Sequence, residues 1–130
     1  MEKLKLLIIT MIVGLGLVGC TNSKLSPVYD EGKLKANSQE IVQMFCNEEY
    51  DKIISKMTDS VATQISAKQL EEVWSPMEEK LGEFKSISKE DIVGQENLAT
   101  VVTVAQFKNG KVKFTITYNE EMKLEGLYLK

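Results

Sequence analysis

Hydrophobic positions follow a helical period between residues 37 and 81 and a period of two after residue 83. Asn37 can cap a helix, with Glu40 as its capping-box partner. Apolar residues at helical spacing then predict a short helix that ends near Asn47 and a second helix that begins near Glu48. The two apolar faces comprise Ile41, Met44 and Phe45 in the first helix and Tyr50, Ile53, Ile54 and Met57 in the second.

A longer helical stripe follows Ser66, which forms a second capping-box pattern with Gln69. Gly82 stands where a glycine commonly ends a helix. Pro76 lies inside the pattern on its solvent side, which predicts a bend there, with a break into two short helices as the alternative. The apolar stripe consists of Leu70, Val73, Trp74, Met77 and Leu81.

The period-two region begins with a predicted strand over Phe84–Ser88, and the segment that continues through Gly94 is either more strand or a loop. Two longer alternating segments, Leu98–Lys108 and Lys111–Asn119, flank Asn109-Gly110, which predicts a hairpin with a type I′ turn. That turn sets a register in which one apolar face pairs Phe107–Val112, Ala105–Phe114, Thr103–Ile116 and Val101–Tyr118.

A last strand is predicted over Met122–Leu129, with either Leu124 and Tyr128 or Leu127 and Leu129 facing inward. Helices followed by an antiparallel meander of about four strands indicate an α+β fold, in which the N-terminal helices pack on one face of the sheet.

The first 20 residues have the pattern of an export signal. A short basic start precedes a charge-free run from Leu6 to Gly19, which is shorter than the roughly 20 apolar residues that cross a bilayer. Leu17-Val18-Gly19-Cys20 resembles the bacterial lipobox, in which the signal is cut between Gly19 and Cys20 and the cysteine carries a diacylglycerol. The alternative is an uncleaved N-terminal anchor.

This resemblance divides the chain into three parts. Residues 1–19 are the predicted signal peptide, residues 20–36 a polar tether that contains Pro27 and Gly32, and residues 37–130 one domain. We therefore expect a protein held by lipid on the extracytoplasmic face of the cell membrane.

Composition narrows the chemistry open to the domain. The chain has no His, which excludes a catalytic triad with a histidine base and a histidine metal site within these residues. All 16 basic residues are Lys, and the net charge of −3 without a basic cluster argues against nucleic acid. Cys46 has apolar neighbours and no nearby Lys, which favours a buried thiol over a reactive nucleophile. We expect no catalytic residue, metal or cofactor.

Several segments resemble one family of bacterial domains of unknown function, numbered 3887. They are Phe45, Tyr50–Ile53, Leu70–Trp74, Leu81–Ile87 and Gly126–Tyr128. The family occurs in lipoproteins, including those of Gram-positive bacteria, and ahead of some α/β-hydrolases. The resemblance implies a cone-like fold similar to nuclear transport factor 2, also called cystatin-like, in which a curved sheet wraps around helices. It supplies no catalytic motif.

This chain departs from the family pattern at two positions. Pro76 lies within the long helix, and Met122 stands where a turn glycine is commoner. The continuity of the long helix and the form of the last hairpin are therefore open.

Folds of this shape can hold a pocket between helices and sheet, and some relatives are isomerase-like enzymes that use an Asp base with a Tyr donor. That chemistry needs a desolvated carboxylate beside a hydroxyl, whereas the acids of this chain lie in turns or on polar helix faces, with Glu125 as the one possible exception. The residues that could line a pocket are Phe45, Trp74, Phe114, Tyr118 and Tyr128, although their spacing is also typical of a packed core.

The opposite face of the predicted hairpin is apolar or β-branched where a solvated sheet normally carries charge. Its members are Val102, Val104, Thr115 and Thr117, and simple β-propensity is the alternative explanation. The leading interpretation is a non-enzymatic, lipid-anchored module that binds a protein partner or a second copy through this face. Small-ligand binding in the cone is second, and an isomerase-like activity is third.

Overall fold

The computed structural model describes residues 25–130. The helices are α1 (Glu31–Cys46), α2 (Tyr50–Ser55), α3 (Asp59–Ala62) and α4 (Ala67–Leu81). The strands are β1 (Phe84–Gln95), β2 (Leu98–Phe107), β3 (Gly110–Tyr118) and β4 (Leu124–Leu129). They form one antiparallel sheet in the order β1-β2-β3-β4, which confirms the α+β class and the meander of four strands.

Helix α1 begins six residues before the predicted start at Asn37. Asp30 is its N-cap, and the Asp30 Oδ1 accepts the backbone N–H of Lys33 at 3.0 Å. Leu34 is fully buried and Tyr29 nearly so, which shows that the packed domain includes residues predicted as tether. The prediction was wrong here because Asp30 caps the helix in a segment that lacks a long apolar stripe. Residues 20–24 of the predicted tether lie outside the described residues.

Helix α1 ends at Cys46 and α2 begins at Tyr50, close to the boundary that the sequence predicted near Asn47 and Glu48. The Asn47 N–H bonds to the Gln43 carbonyl oxygen at 2.8 Å and ends α1. Tyr50, Ile53 and Met57 of the second predicted stripe are buried. The sequence did not predict α3, a single turn that Thr58 caps.

Helix α4 begins with the predicted capping box, and both of its reciprocal hydrogen bonds are present. The Gln69 N–H donates to the Ser66 Oγ at 3.2 Å, and the Ser66 N–H donates to the Gln69 Oε1 at 2.9 Å. The helix is continuous through Pro76, so the alternative of two short helices is wrong. Pro76 is half-buried and lies beside the exposed Glu72 and Ser75, in agreement with its predicted position on the solvent side. Gly82 ends the helix with φ of 74°, a backbone conformation that favours glycine.

The β2–β3 hairpin exists, but its register differs from the predicted one by two residues. Phe107 pairs with Gly110, and Ala105 pairs with Val112. The turn residues are therefore Lys108 and Asn109, and none of the three residues from 108 to 110 has the positive φ that a type I′ turn needs. A shift of two keeps every side chain on its predicted face, because side chains alternate with a period of two.

Helix α4 explains the shift in register. The Lys108 N–H donates to the Glu83 carbonyl oxygen and the Asn109 N–H to the Leu81 carbonyl oxygen, both at 2.8 Å. A Cβ atom at Gly110 would lie 3.2 Å from the Leu81 side chain. Contacts between the turn and the end of α4 thus select the conformation of the turn.

The two outer strands contain irregularities that the sequence did not resolve. β1 runs through to Gln95, and its pairing with β2 shifts at Lys85 and at Ser88. In β4 the pairing shifts at Glu125, so that Leu124 joins Leu127 and Leu129 on the inner face. Neither predicted inward set was complete, because each assumed strict alternation.

The core lies between the helices and the inner face of the sheet. Every second residue of β2 from Ala99 to Phe107 is buried, and the Phe107 ring lies 5.8 Å from the Trp74 ring of α4. Residues Glu96 and Met122, in the turns after β1 and β3, adopt φ of 55° and 65°. The left-handed φ of Met122 is a conformation that glycine adopts most readily, in agreement with the turn glycine that the resemblance implies near this position.

Candidate functional site

The predicted interaction face lies on the side of the sheet opposite the helices. Val102 pairs with Thr115, and Thr117 pairs with Thr100 one row further on. Val104 occupies the next row in the other direction, opposite Lys113. The shifted register therefore still brings the four predicted residues together on one face. Val102, Val104 and Thr115 are half-buried, whereas Thr117 is fully buried.

Residues of the neighbouring strands extend this face. Val93 of β1 pairs with Thr100 and is 38% exposed, and Tyr128 of β4 pairs with Thr115. The Thr100 and Thr117 hydroxyls lie 3.0 Å apart and hydrogen-bond to each other. Because these hydroxyls satisfy one another, the centre of the face presents mainly methyl groups and one aromatic ring. We call Val93, Thr100, Val102, Val104, Thr115, Thr117 and Tyr128 the outer patch.

Charges of both signs border the outer patch. Lys89 pairs with Val104, and Asp91 pairs with Val102, at the β1 side. The Lys89 Nζ lies 3.6 Å from an Asp91 carboxylate oxygen, and both side chains are exposed. Lys113 borders the patch on β3. An uncharged centre with a mixed, polar border is typical of a protein contact surface.

The five aromatic residues predicted to line a pocket have three different surroundings. Phe45, Trp74 and Phe114 pack against one another in the core, with ring centroids 5.4 to 5.8 Å apart, and each is fully buried. Tyr128 belongs to the outer patch. The space beside Trp74 is therefore occupied by aromatic side chains, which favours the core interpretation for these three residues.

Tyr118 lines a small open cavity at the end of β3. The Tyr118 hydroxyl and the Ser38 Oγ of α1 are 3.0 Å apart in a buried hydrogen bond. Burial raises the pKa of Tyr118 to about 12, with Glu40 and Glu90 adding to the shift and the Ser38 hydrogen bond opposing it. The cavity has a volume of about 210 Å³ and is lined by Asn37, Ile41, Ser55, Lys56, Tyr118, Glu121, Met122 and Lys123.

A family model described as "Protein of unknown function (DUF3887)" matches residues 38–127, which is more than two thirds of the sequence. The chain belongs to this family. The match covers α4 and nearly all of the sheet, and it includes Tyr118 and every residue of the outer patch except Tyr128. The family that the sequence resemblance indicated is thus confirmed.

Two known proteins are similar to this chain. Esterase EstD of Thermotoga maritima is 22% identical over 89 residues, which are 68% of this chain and 22% of that protein. The chain therefore spans about a fifth of the length of this curated relative. An NMR structure of a protein from Ruminococcus gnavus superposes with a TM-score of 0.70 at 20% identity, covering 81% of this chain and 95% of the other. At that identity the likeness concerns the fold.

One carboxylate on the inner face of this DUF3887 domain was missed by the sequence analysis. Glu90 of β1 is half-buried, and its two carboxylate oxygens accept hydrogen bonds from Thr103 Oγ1 at 2.9 Å and Gln39 Nε2 at 2.8 Å. It was missed because the first strand was predicted only to Ser88, and alternation continued to Gln95 would have found it. The two donors make Glu90 a link between α1 and the sheet.

The isomerase-like alternative required a buried carboxylate beside a tyrosine hydroxyl. Among residues 25–130, no Asp or Glu is buried, and the hydroxyl partner of Tyr118 is Ser38. In the same range, no cluster of acidic and cysteine side chains has the arrangement of a metal site. The described residues therefore lack the buried carboxylate that the isomerase-like alternative requires.

The Cys46 thiol is half-buried beside the acidic end of α4. Burial, followed by repulsion from Glu78, raises the pKa of Cys46 to about 11, which leaves little thiolate at neutral pH. Burial, followed by repulsion from Glu48, also raises the pKa of Glu78. The nearby Trp74 indole opposes that shift, although its buried Nε1–H has no hydrogen-bond partner among the described residues. Cys46 thus lacks the environment of a nucleophile.

The predicted lipidation site lies outside the described residues. Gly19 and Cys20, between which the signal would be cut, are not among residues 25–130, so their prediction rests on the sequence alone. Within the part of the chain that the structure describes, no helix is long and apolar enough to span a membrane.

Proposed function

We propose that this DUF3887 chain is a lipid-anchored, extracytoplasmic binding module without catalytic activity, which contacts a second copy of itself through the outer patch. The lipobox-like Leu17–Cys20 supports the anchor, and the helix-free, uncharged centre of the sheet supports the contact. The observation that carries the proposal is the position of Val102 and Val104 on the outer face, where a solvated sheet normally carries polar side chains.

The dimensions of the patch indicate a weak dimer. Strands about 4.8 Å apart with a rise of about 3.4 Å per residue give a four-strand patch of roughly 300 Å². A stable interface buries about 800 Å² on each partner, so the charged border must take part as well. Lys89 and Asp91 provide both signs there, which lets a symmetric copy approach without a barrier of like charges. Anchoring in one membrane would raise the effective concentration of the copies.

Two observations support a non-enzymatic module, and a third supports a cone-like fold. A histidine-based triad cannot form within a sequence that has no His. The esterase relative matches over only 22% of its length, so its activity is not transferred to this domain. The shifts in pairing at Lys85, Ser88 and Glu125 are devices that bend a sheet, and they favour the cone-like architecture similar to nuclear transport factor 2 as part of the proposal.

Replacing Val102 and Val104 together by Lys should abolish self-association, because a paired copy would bury four uncompensated charges. Sedimentation equilibrium of the unlipidated chain measures the dimer dissociation constant. Gln64→Lys with Ser75→Lys adds the same charge at exposed positions on the helical side and should leave association unchanged. A chain that stays monomeric at high micromolar concentration with and without the Val substitutions would exclude the dimer.

A second candidate function is binding of a small anionic molecule in the cavity beside Tyr118. The Lys56 and Lys123 side chains and the Asn37 amide line this cavity and supply donors for a carboxylate or phosphate, whereas the Ser55 hydroxyl already donates to the Lys52 carbonyl oxygen. This location replaces the pocket beside Trp74, where the aromatic rings fill the space.

A ligand of this cavity should raise the thermal midpoint of the domain. At about ten times its dissociation constant, a ligand adds about 1.4 kcal/mol of stability, which corresponds to roughly 6–11 °C for a domain of this size. We suggest acetate, glutamate, glycerol phosphate and inorganic phosphate as probes. Lys123→Ala should remove the shift, whereas Lys108→Ala, at the far turn, should retain it. Absence of any shift across the panel would count against this function.

A further inference from the structure

The N-terminal segment is fastened to one end of the sheet. The Tyr29 hydroxyl donates a bifurcated hydrogen bond to the carbonyl oxygens of Asn97, at 2.6 Å, and Tyr118, at 3.1 Å. The Tyr29 N–H bonds to the Ser26 carbonyl oxygen at 3.1 Å, and Leu25 packs partly buried against the core. The first described residues are thus held in place by contacts with the fold.

Both acceptors of Tyr29 lie at the same end of the domain. Asn97 is in the turn between β1 and β2, and Tyr118 is the last residue of β3. The turn between β2 and β3, with Lys108 and Asn109, is at the opposite end. A ten-residue strand such as β2 is about 34 Å long, so the two ends are separated by roughly that distance.

The chain between the proposed lipid and this end is short. Leu25 follows Cys20 by five positions, and a fully extended chain spans at most about 3.6 Å per residue, or roughly 18 Å. This reach is about half the length of β2. A domain attached in this way cannot turn its far end toward the surface that holds the lipid without breaking the contacts of Tyr29.

We propose that the Tyr29 end, which comprises Tyr29, the β1–β2 turn and the β3–β4 turn, faces the lipid headgroups, while the Lys108–Asn109 turn points away from them. The inference rests on the proposed anchoring at Cys20. It adds a defined orientation, in which the cavity beside Tyr118 opens near the membrane and the long axis of the sheet stands away from it.

The side chains of the Tyr29 end supply little attraction to the membrane. Val28 and Val93 are the exposed large hydrophobic residues of the described chain, at 62% and 38%, and both lie close to this end. Glu96, Glu120 and Glu121 are exposed there as well, and acidic side chains are repelled by anionic lipid. The short connection to the lipid, rather than attraction of the surface, therefore sets the orientation.

Labelling of introduced cysteines with a polymer-linked maleimide tests the orientation. Asn97→Cys and Lys108→Cys place a thiol on an exposed turn at each end, and the chain without either substitution measures the background from Cys46, whose raised pKa keeps that thiol slow. The lipidated full chain in membranes is compared with the same variants carrying Cys20→Ala. Thermal midpoints check that each variant is folded.

We expect labelling at Asn97→Cys to be several-fold slower on the membrane than in the Cys20→Ala chain, and labelling at Lys108→Cys to be unchanged. Inserting about twenty Gly and Ser residues between Lys24 and Leu25 adds roughly 25 Å of reach and should restore the rate at Asn97→Cys. Equal rates at the two ends, or slow labelling at both, would overturn the orientation while the membrane fraction still showed anchoring. Absence of the chain without substitutions from the membrane fraction would overturn both the orientation and the lipid anchoring.

Discussion

Replacing Cys20 by alanine should move the protein from the membrane fraction into the soluble fraction or leave it as an unprocessed precursor. In the proposed anchor, a diacylglycerol on Cys20 supplies two acyl chains, and each buried methylene contributes about 0.8 kcal/mol to membrane binding. Two chains give stable attachment where one gives marginal binding. The substitution removes the whole of this contribution, which makes its effect the largest that we expect.

In the proposed mature chain, residues 25–130 contain no feature that would compensate for the lost lipid. Cleavage after Gly19 removes Glu2, Lys3 and Lys5, which is one acidic and two basic groups, so the net charge changes from −3 to −4. A chain of that charge is repelled by anionic lipid. Exposed hydrophobic side chains such as Val28 are few in the described range.

Fractionation with a high-salt wash measures the effect of Cys20→Ala. Cys46→Ala is the matched control, because it removes the other cysteine and should leave the protein in the membrane fraction. Salt-resistant membrane retention of a processed Cys20→Ala chain would disprove lipid anchoring. A chain without substitutions that keeps residues 1–19 in the membrane would instead support the uncleaved N-terminal anchor.

Replacing Phe114 by alanine should destabilise the domain by about 3–5 kcal/mol, which is the usual cost of deleting a buried aromatic ring. Phe114 is fully buried and packs against both Phe45 and Trp74, with centroid distances of 5.7 and 5.8 Å. The neighbouring rings are held by the helices on one side and the sheet on the other, so they cannot close the gap. Small domains are stable by only about 5–15 kcal/mol, and a loss of this size brings the variant close to unfolding.

Urea unfolding monitored by Trp74 fluorescence measures this loss, since Trp74 is the single tryptophan of the chain. Phe84→Ala is the control: Phe84 is half-buried and its ring contacts Phe107 at 5.6 Å, so a smaller loss is expected. A cost below that of Phe84→Ala would show that the space around Trp74 is loosely packed, and would revive a ligand cavity there.

The binding surfaces were foreseen to different degrees. The β2 and β3 part of the outer patch followed from alternation, because a strand that buries one set of positions necessarily presents the other set outward. Val93 of β1 and Tyr128 of β4 were not predicted there. The cavity beside Tyr118 did not, because α1, α2 and the turn after β3 come together there from three separate parts of the chain. The role of Glu90 was not predicted either, because it depends on α1, which places the Gln39 Nε2 2.8 Å from the Glu90 Oε1.

The local sequence by itself determined the order of elements, the capping box at Ser66, the end of α4 at Gly82 and the faces of β2 and β3. These features depend on caps, periods and turns within a few residues, so they are encoded where they occur. Tertiary structure decided the start of α1, the register of the β2–β3 hairpin and the inward set of β4. Asn109-Gly110 prefers a type I′ turn in isolation, but two backbone hydrogen bonds to the end of α4 stabilise a different one. The conformational preference of a two-residue turn is weak, so hydrogen bonds to a helix that is distant in sequence can outweigh its free energy.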